Sequence, residues 1–306
     1  MLTLRKVLFT TILMGLATGW IMSSYADEAN NASHTNPPTT SGSTPSNVGS
    51  NVVYDNLTGS FVAKHKHKKQ TEVSTSTPNP WTAIVALGTG VTPKYPGSDT
   101  MIGAMALAAS VSYENRFFLS SGQGLGVNFI NTKPWTVGTS VNYSYGNNWR
   151  SKEFSGLTNP KDAFMGSLFA NYTISLYNFG VAANKTMGQL EGAGSYTATA
   201  TRAVPLSQHL VVNLVVAAQY DDAHYMQSLY GVTSSESTAS GLSSYNTHSG
   251  WDNISYAITP MYSINKHWIL TGSVAMINYL DQVAKSPLIK HNQNYAVAVG
   301  VIYNIF

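Results

Sequence analysis

Trp135-Thr136-Val137-Gly138-Thr139-Ser140-Val141-Asn142-Tyr143-Ser144-Tyr145-Gly146 decides the fold. A strand puts successive side chains on opposite faces, so this stretch separates into two sets. Trp135, Val137, Thr139, Val141, Tyr143 and Tyr145 form a greasy face with aromatic ends, and Thr136, Gly138, Ser140, Asn142, Ser144 and Gly146 form a small, polar one. The alternation returns at Ile254, Tyr256, Ile258, Pro260, Tyr262 and Ile264 against Ser255, Ala257, Thr259, Met261 and Ser263. It returns again at Tyr177, Phe179, Val181 and Ala183, and at Tyr295, Val297, Val299, Val301 and Tyr303.

A soluble β-sandwich alternates as well, but its strands are usually about 5 or 6 residues long. Here the segments run to roughly 10 to 13, with aromatics near their ends and Ser, Thr, Asn and Gly on the polar face, as in strands that cross a bilayer. Composition agrees. Only 10% of the 306 residues are charged, against about 25% in a typical soluble domain, and there are 18 Tyr, 25 Gly and no Cys. A surface so poor in charge fits a lipid-facing band. The net charge of +3 is too small and too dispersed to suggest nucleic acid.

Upstream, Arg5 and Lys6 precede an apolar run from Val7 to Met22 and the small-residue ending Ser24-Tyr25-Ala26. That is the pattern of a secretory signal peptide over residues 1–26. The run falls short of the roughly 20 residues a spanning helix needs, and no later segment is longer, so beyond Ala26 the membrane is crossed by strands. Residues 27–80 are rich in Ser, Thr, Asn and Pro and read as a disordered periplasmic leader. Within it, Asn51-Val52-Val53-Tyr54 through Phe61-Val62 can form a strand or a docking segment. His65-Lys66-His67-Lys68-Lys69 reads as a solvated basic cluster, with an anionic polymer or lipid headgroup as the alternative partner.

From residue 81 to 306 the candidate strands are 82–91, 101–113, 116–131, 135–146, 162–173, 176–187, 192–204, 208–220, 251–264, 266–278 and 294–305. Splitting 116–131 at Gly122-Gln123 makes an even twelve, with ten or fourteen as the neighbouring solutions. The loops 147–161, 221–250 and 279–293 then fall on one side. The tight links near Thr132-Lys133-Pro134, Ile174-Ser175, Pro205-Leu206-Ser207 and Asn265 fall on the other, the periplasmic one. The expectation is an all-β fold, a transmembrane antiparallel up-and-down β-barrel of about twelve strands in the outer membrane.

Several loop and turn segments resemble the MipA/OmpV family of outer-membrane proteins. They are Tyr95-Pro96-Gly97-Ser98-Asp99, Arg116-Phe117-Phe118 with Gly122-Gln123-Gly124-Leu125-Gly126, Tyr225-Met226-Gln227 with Tyr230-Gly231-Val232-Thr233, Ala239-Ser240-Gly241-Leu242, His267-Trp268-Ile269-Leu270, and Lys285-Ser286-Pro287-Leu288. They occur in order from Trp81 to Phe306 and leave the leader unmatched. The resemblance singles out Tyr95, Gly97, Ser98, Gly124, Gly126, Tyr230, Gly231, Gly241, Ser286 and Pro287. It implies a non-enzymatic scaffold in murein synthesis, linking a lytic transglycosylase to a bifunctional penicillin-binding protein. Other members are described as antigens or adhesins, and a small-solute channel is the remaining alternative. The ending Tyr303-Asn304-Ile305-Phe306 departs from the usual aromatic-x-Phe pattern, so either a bulge corrects the parity or Ile305 stands in the usual Phe place.

Chemistry in the sequence is sparse. Asp221, Asp222, His224 and Tyr225 cluster beside Ser228, Ser234 and Ser235, but nothing frames a serine as a nucleophile elbow. At the outer rim the two aspartates read as solvated, with loose divalent-cation binding as the alternative. Gly122 to Gly126 leads into a strand, not a helix, and so serves a tight reversal instead of a phosphate site. No catalytic residue, cofactor or metal is expected. Trp81, Trp135, Trp268 and His267 read as an interfacial girdle. The loop 221–250 is the expected surface interaction site.

Overall fold

The computed structural model describes residues 52–55, 60–63, 79–144, 149–160, 162–187 and 192–306. The signal segment and the basic cluster at His65–Lys69 lie outside these residues. A short hairpin comes first, β1 (Val52–Asp55) paired with β2 (Ser60–Ala63), inside the segment singled out in the leader as a strand or docking element. Twelve antiparallel strands then close into a barrel. They are β3 (Trp81–Pro93), β4 (Met101–Tyr113), β5 (Phe117–Ser120), β6 (Gly124–Thr132), β7 (Trp135–Ser144), β8 (Ala163–Ile174), β9 (Tyr177–Met187), β10 (Gly194–Pro205), β11 (Leu210–Asp221), β12 (Gly250–Ser263), β13 (Trp268–Tyr279) and β14 (Gln293–Asn304). β14 pairs with β3, so the ring has no open edge at the closure. The split at Gly122-Gln123 is the turn between β5 and β6.

The two faces partition as the alternation requires. Ser112, Ser140, Asn171, Asn178, Asn213 and Thr259 are buried inward, whereas Leu125 is 66% and Met105 62% exposed on the outside. An apolar exterior this continuous would be an aggregation surface in water, and in a bilayer it faces its own kind. At the short-turn end, three cross-strand pairs place Trp against Tyr. Trp81 meets Tyr113 at 4.8 Å, Trp135 meets Tyr172 at 4.8 Å and Trp268 meets Tyr303 at 4.6 Å between ring centroids. His267 stacks on Tyr303 beside them. Tyr143–Phe164 and Tyr220–Trp251 mark the opposite rim. Directly opposed aromatics gain pair energy and anchor the wall at both interfaces.

The register shifts twice, between Asn128 and Ile130 and between Gln219 and Tyr220. The first turns Phe129 and Ile130 both outward, at 54% and 45% exposed. The ladders of β14 run without a shift, so Ile305 keeps the outward parity of Tyr303, and its N–H donates to the Ala83 carbonyl. The bulge offered as one explanation for the Tyr303–Phe306 ending is therefore absent from β14.

Gly124 has φ +75°, and a Cβ there would lie 2.1 Å from the Val141 carbonyl oxygen. A side chain must strain the backbone, by about 1–2 kcal/mol for the left-handed conformation alone, and also push the β7 ladder away. Gly124→Val is expected to abolish the heat-modifiable gel migration of the folded barrel, while Gly122→Ala, with open space around it, leaves migration unchanged.

Candidate functional site

Each end of the barrel carries folded chain. At the loop end, α1 (Trp149–Glu153), α2 (Ala223–Tyr230) and α3 (Ser234–Ser240) lie in the long connections. Asp222 caps α2 by accepting from the Tyr225 N–H, and Thr233 with Glu236 forms a reciprocal capping box on α3. Tyr95, Trp149, Leu157, Val232 and Leu288 form one buried cluster. These residues belong to the loops after β3, β7, β11 and β13, which rise from different sectors of the ring. Their meeting point therefore lies over the mouth, and the cluster is the core of a cap.

Arg150 locks this cap. Only 2% exposed, it donates to the carbonyls of Ser228 and Gly231, each at 2.7 Å, and pairs with Glu236 at 3.3 Å. Burial pulls its pKa down, and the Glu236 carboxylate pulls it back up. Glu236 also accepts from the N–H of Thr158 at 2.9 Å, the Thr158 hydroxyl at 2.5 Å and the N–H of Thr233 at 3.0 Å. Burial pushes the Glu236 pKa up, but these donors and Arg150 outweigh it and bring it to about 2. A depressed carboxylate pKa stabilises the fold above its ordinary value of 4.5 and loses that contribution as pH falls towards 2. Protease resistance of the cap is therefore expected to be flat from neutral pH down to about 5 and to fall below about 4. In Glu236→Gln that fall should disappear.

Beneath the cap sit two carboxyls. Asp221 is fully buried and accepts from Gln219 Nε2 at 3.0 Å; Asp252, 1% exposed, accepts from the Tyr230 hydroxyl at 3.0 Å. Asp221 was expected to be solvated at the rim. Instead the helices of the cap cover it, and Asp222 is spent on the α2 cap and on the Gly194 N–H at 2.6 Å. Ser228 gives its hydroxyl to the Tyr225 carbonyl. Among the described residues no group of three or more His, Asp or Glu could hold a metal ion.

At the turn end, β2 enters the barrel. The Phe61 N–H donates to Asn213 Oδ1 at 2.8 Å, Asn213 Nδ2 donates back to the Phe61 carbonyl at 3.0 Å, and the Ser263 hydroxyl donates to the Ala63 carbonyl at 3.1 Å. Phe61 and Ala63 pack with Ala203 and Val211. Val62 packs against Ile84, Met261, Ile269 and Ile302, which come from β3, β12, β13 and β14. This four-residue strand lies inside the ring against the consecutive arc of strands from β10 round to β3.

Eight of the ten residues singled out by resemblance converge on the cap. Tyr95 stacks on Trp149 at 5.2 Å. Gly97, at φ +75°, donates to Asn294 Oδ1, and Asn294 Nδ2 donates to the Ser98 carbonyl. Tyr230 bonds Asp252, Gly231 accepts from Arg150, and Gly241 ends α3 at φ +76°. The Ser286 hydroxyl donates to the Tyr230 carbonyl, and Pro287 precedes buried Leu288. Gly124 and Gly126 lie apart, in the wall, where Gly126 leaves room for the Phe118 ring. Sequence reasoning missed Arg150, Glu236, Asp252 and Asn213. A capping-box spacing, Thr233 to Glu236, was the one local signal for any of them.

A closed antiparallel barrel with an apolar exterior and aromatic rims is an outer-membrane β-barrel protein. Within that class the chain belongs to the family of MltA-interacting protein MipA, whose sequence pattern matches residues 85–305. It is also similar to the putative outer membrane protein YiaT of Escherichia coli strains K12 and O157:H7, at 31% identity over 83 residues. That match takes in 27% of this chain and about a third, 33%, of the relatives' length. Among solved structures, the NanC porin aligns at TM-score 0.42 and 8% identity over 72% of this chain and 98% of that one. An outer membrane channel from Pseudomonas putida F1 aligns at TM-score 0.43 and 10% identity, over 77% and 100%.

Proposed function

We propose that this protein is a non-enzymatic scaffold of the outer membrane that links murein synthases, of the penicillin-binding class, to a lytic transglycosylase on the periplasmic side. The observation that carries the reading is that the barrel's own chain occupies both mouths, the cap at one end and Ser60–Ala63 at the other. Folded chain at both mouths obstructs an axial path for solutes, which speaks for the scaffold over the channel. What remains is a rigid body in lipid with a segment of leader held at its periplasmic mouth. The family's name, MltA-interacting protein, agrees with such a partner. On this reading the family-motif residues Tyr95, Gly97, Ser98, Tyr230, Gly231, Gly241, Ser286 and Pro287 serve to keep the cap shut, and Gly124 and Gly126 serve the wall.

The test is crosslinking in intact cells followed by affinity capture of the barrel, repeated with residues 27–80 deleted. The full chain should recover murein synthases and a lytic transglycosylase, and the deletion should recover far less. Capture of the full chain without either enzyme overturns the reading.

A further inference from the structure

The lipid-facing wall carries a charge that no described residue answers. β10 turns Thr201 and Ala203 inward, both buried, so Arg202 between them points out of the ring. The ladders set it beside Tyr177, the first residue of β9, on one side and Leu214 of β11 on the other. Its guanidinium lies over the Tyr177 ring, 5.6 Å from the centroid, and makes no hydrogen bond or ion pair with any described residue. Phe179 and Val181 on β9 and Leu214 and Val216 on β11 make the outer surface around it apolar. A charged side chain in hydrocarbon is expensive, and an Arg near a strand end escapes by carrying its head to the level of the lipid headgroups. Tyr177 pairs with Ile174, two residues from the girdle ring Tyr172, so Arg202 stands at that level.

Charge is sorted along the barrel as well. Arg116, Lys133, Arg202 and Lys266 lie at the turn end, where the acidic side chain among the described residues of the wall is Glu114. Of the four basic residues, Arg202 is the one set within a strand; the others stand in the turns after β4, β6 and β12. Its donors therefore meet the lipid against the wall before they meet open water. Five N–H groups in a planar fork match the oxygens of a phosphate diester, and the ring beneath holds that plane in place. A headgroup of net negative charge suits the position better than a zwitterionic one, whose ammonium would be repelled by the guanidinium. We propose that Arg202, seated on Tyr177, binds the phosphate of an anionic phospholipid in the periplasmic leaflet, whose acyl chains lie along the wall over Phe179 and Val181.

The test is native mass spectrometry of the full chain released from mixed micelles that hold phosphatidylglycerol and phosphatidylcholine in equal amounts. The wild type should retain phosphatidylglycerol in preference, and Arg202→Gln should weaken that retention about fivefold, the worth of one cation at the membrane surface. Arg202→Lys and Tyr177→Leu should each lose part of it, because a point charge lacks the fork and a fork without the ring lacks its seat. Arg116 also lies over a ring, that of Phe117 at 5.8 Å, but stands in a turn two residues from Glu114. Arg116→Gln removes the same charge from the same rim and should leave retention near that of the wild type. Heat-modifiable migration reports the fold of each variant, and where Arg202→Gln fails to fold, Arg202→Lys and Tyr177→Leu carry the comparison. Equal retention of the two lipids by the wild type, or equal losses in Arg202→Gln and Arg116→Gln, overturns the proposal. Full retention in both Arg202→Lys and Tyr177→Leu overturns it as well, and so does binding of soluble murein fragments through Arg202 in place of phospholipid.

Discussion

Arg150→Met is expected to open the cap while leaving the barrel standing. The substitution strands two buried carbonyls, of Ser228 and Gly231, and the Glu236 carboxylate, all of which Arg150 serves from a nearly inaccessible position. Removing one partner from a buried, hydrogen-bonded ion pair costs about 3–5 kcal/mol, comparable with everything that holds a lid of this size. The barrel ladders do not pass through Arg150, so heat-modifiable migration should be unchanged. Protease should now cut between residues 222 and 249 in the folded protein. Adding Glu236→Gln should restore part of the resistance, because the second change removes the orphaned charge. Unchanged resistance in Arg150→Met would show that the apolar cluster around Trp149 closes the mouth by itself.

The second large effect is at the other mouth. Phe61→Ala deletes a fully buried ring at a cost of about 3–5 kcal/mol, and Asn213→Leu leaves the Phe61 N–H and carbonyl unserved at roughly 1–3 kcal/mol each. Both changes are confined to side chains, and the backbone ladder through Asn213 keeps its pairs with Ala203 and Thr259. Both energies therefore fall on the docking of β2, which is only four residues long. In each variant the leader should become cleavable from the periplasmic side, and planar bilayers should show conductance bursts that the parent lacks. A leader as protected as before, with silent bilayers, would mean that β2 is not the stopper.

Most of the wall was legible in the sequence, because a strand's period of two is local and each inward or outward choice repeats along one segment. The Trp girdle was legible for the same reason. The stopper left a fainter mark. Val211, Ile269 and Ile302 are apolar residues on the polar parity, each beside an outward apolar neighbour, and they form the seat for Phe61 and Val62. As single interruptions they did not stand out from strands that alternate well elsewhere. The cap was hardest to see. Arg150 and Glu236 are 86 positions apart, and Gly97 and Asn294 are 197 apart. Pairings between loops at such separations have no period, and an Arg in a loop looks solvated until the other loops fold over it. The aspartate pair failed for this reason too, since burial of Asp221 is decided by helices that begin after it.

The central claim is that the chain stops its own barrel at both ends. Its most direct test is conductance across planar bilayers holding the full-length protein, with insertion confirmed by recovering it, heat-modifiable, from the same membrane. The account predicts no steady conductance from the wild type; a stable, long-lived pore of uniform size would contradict it.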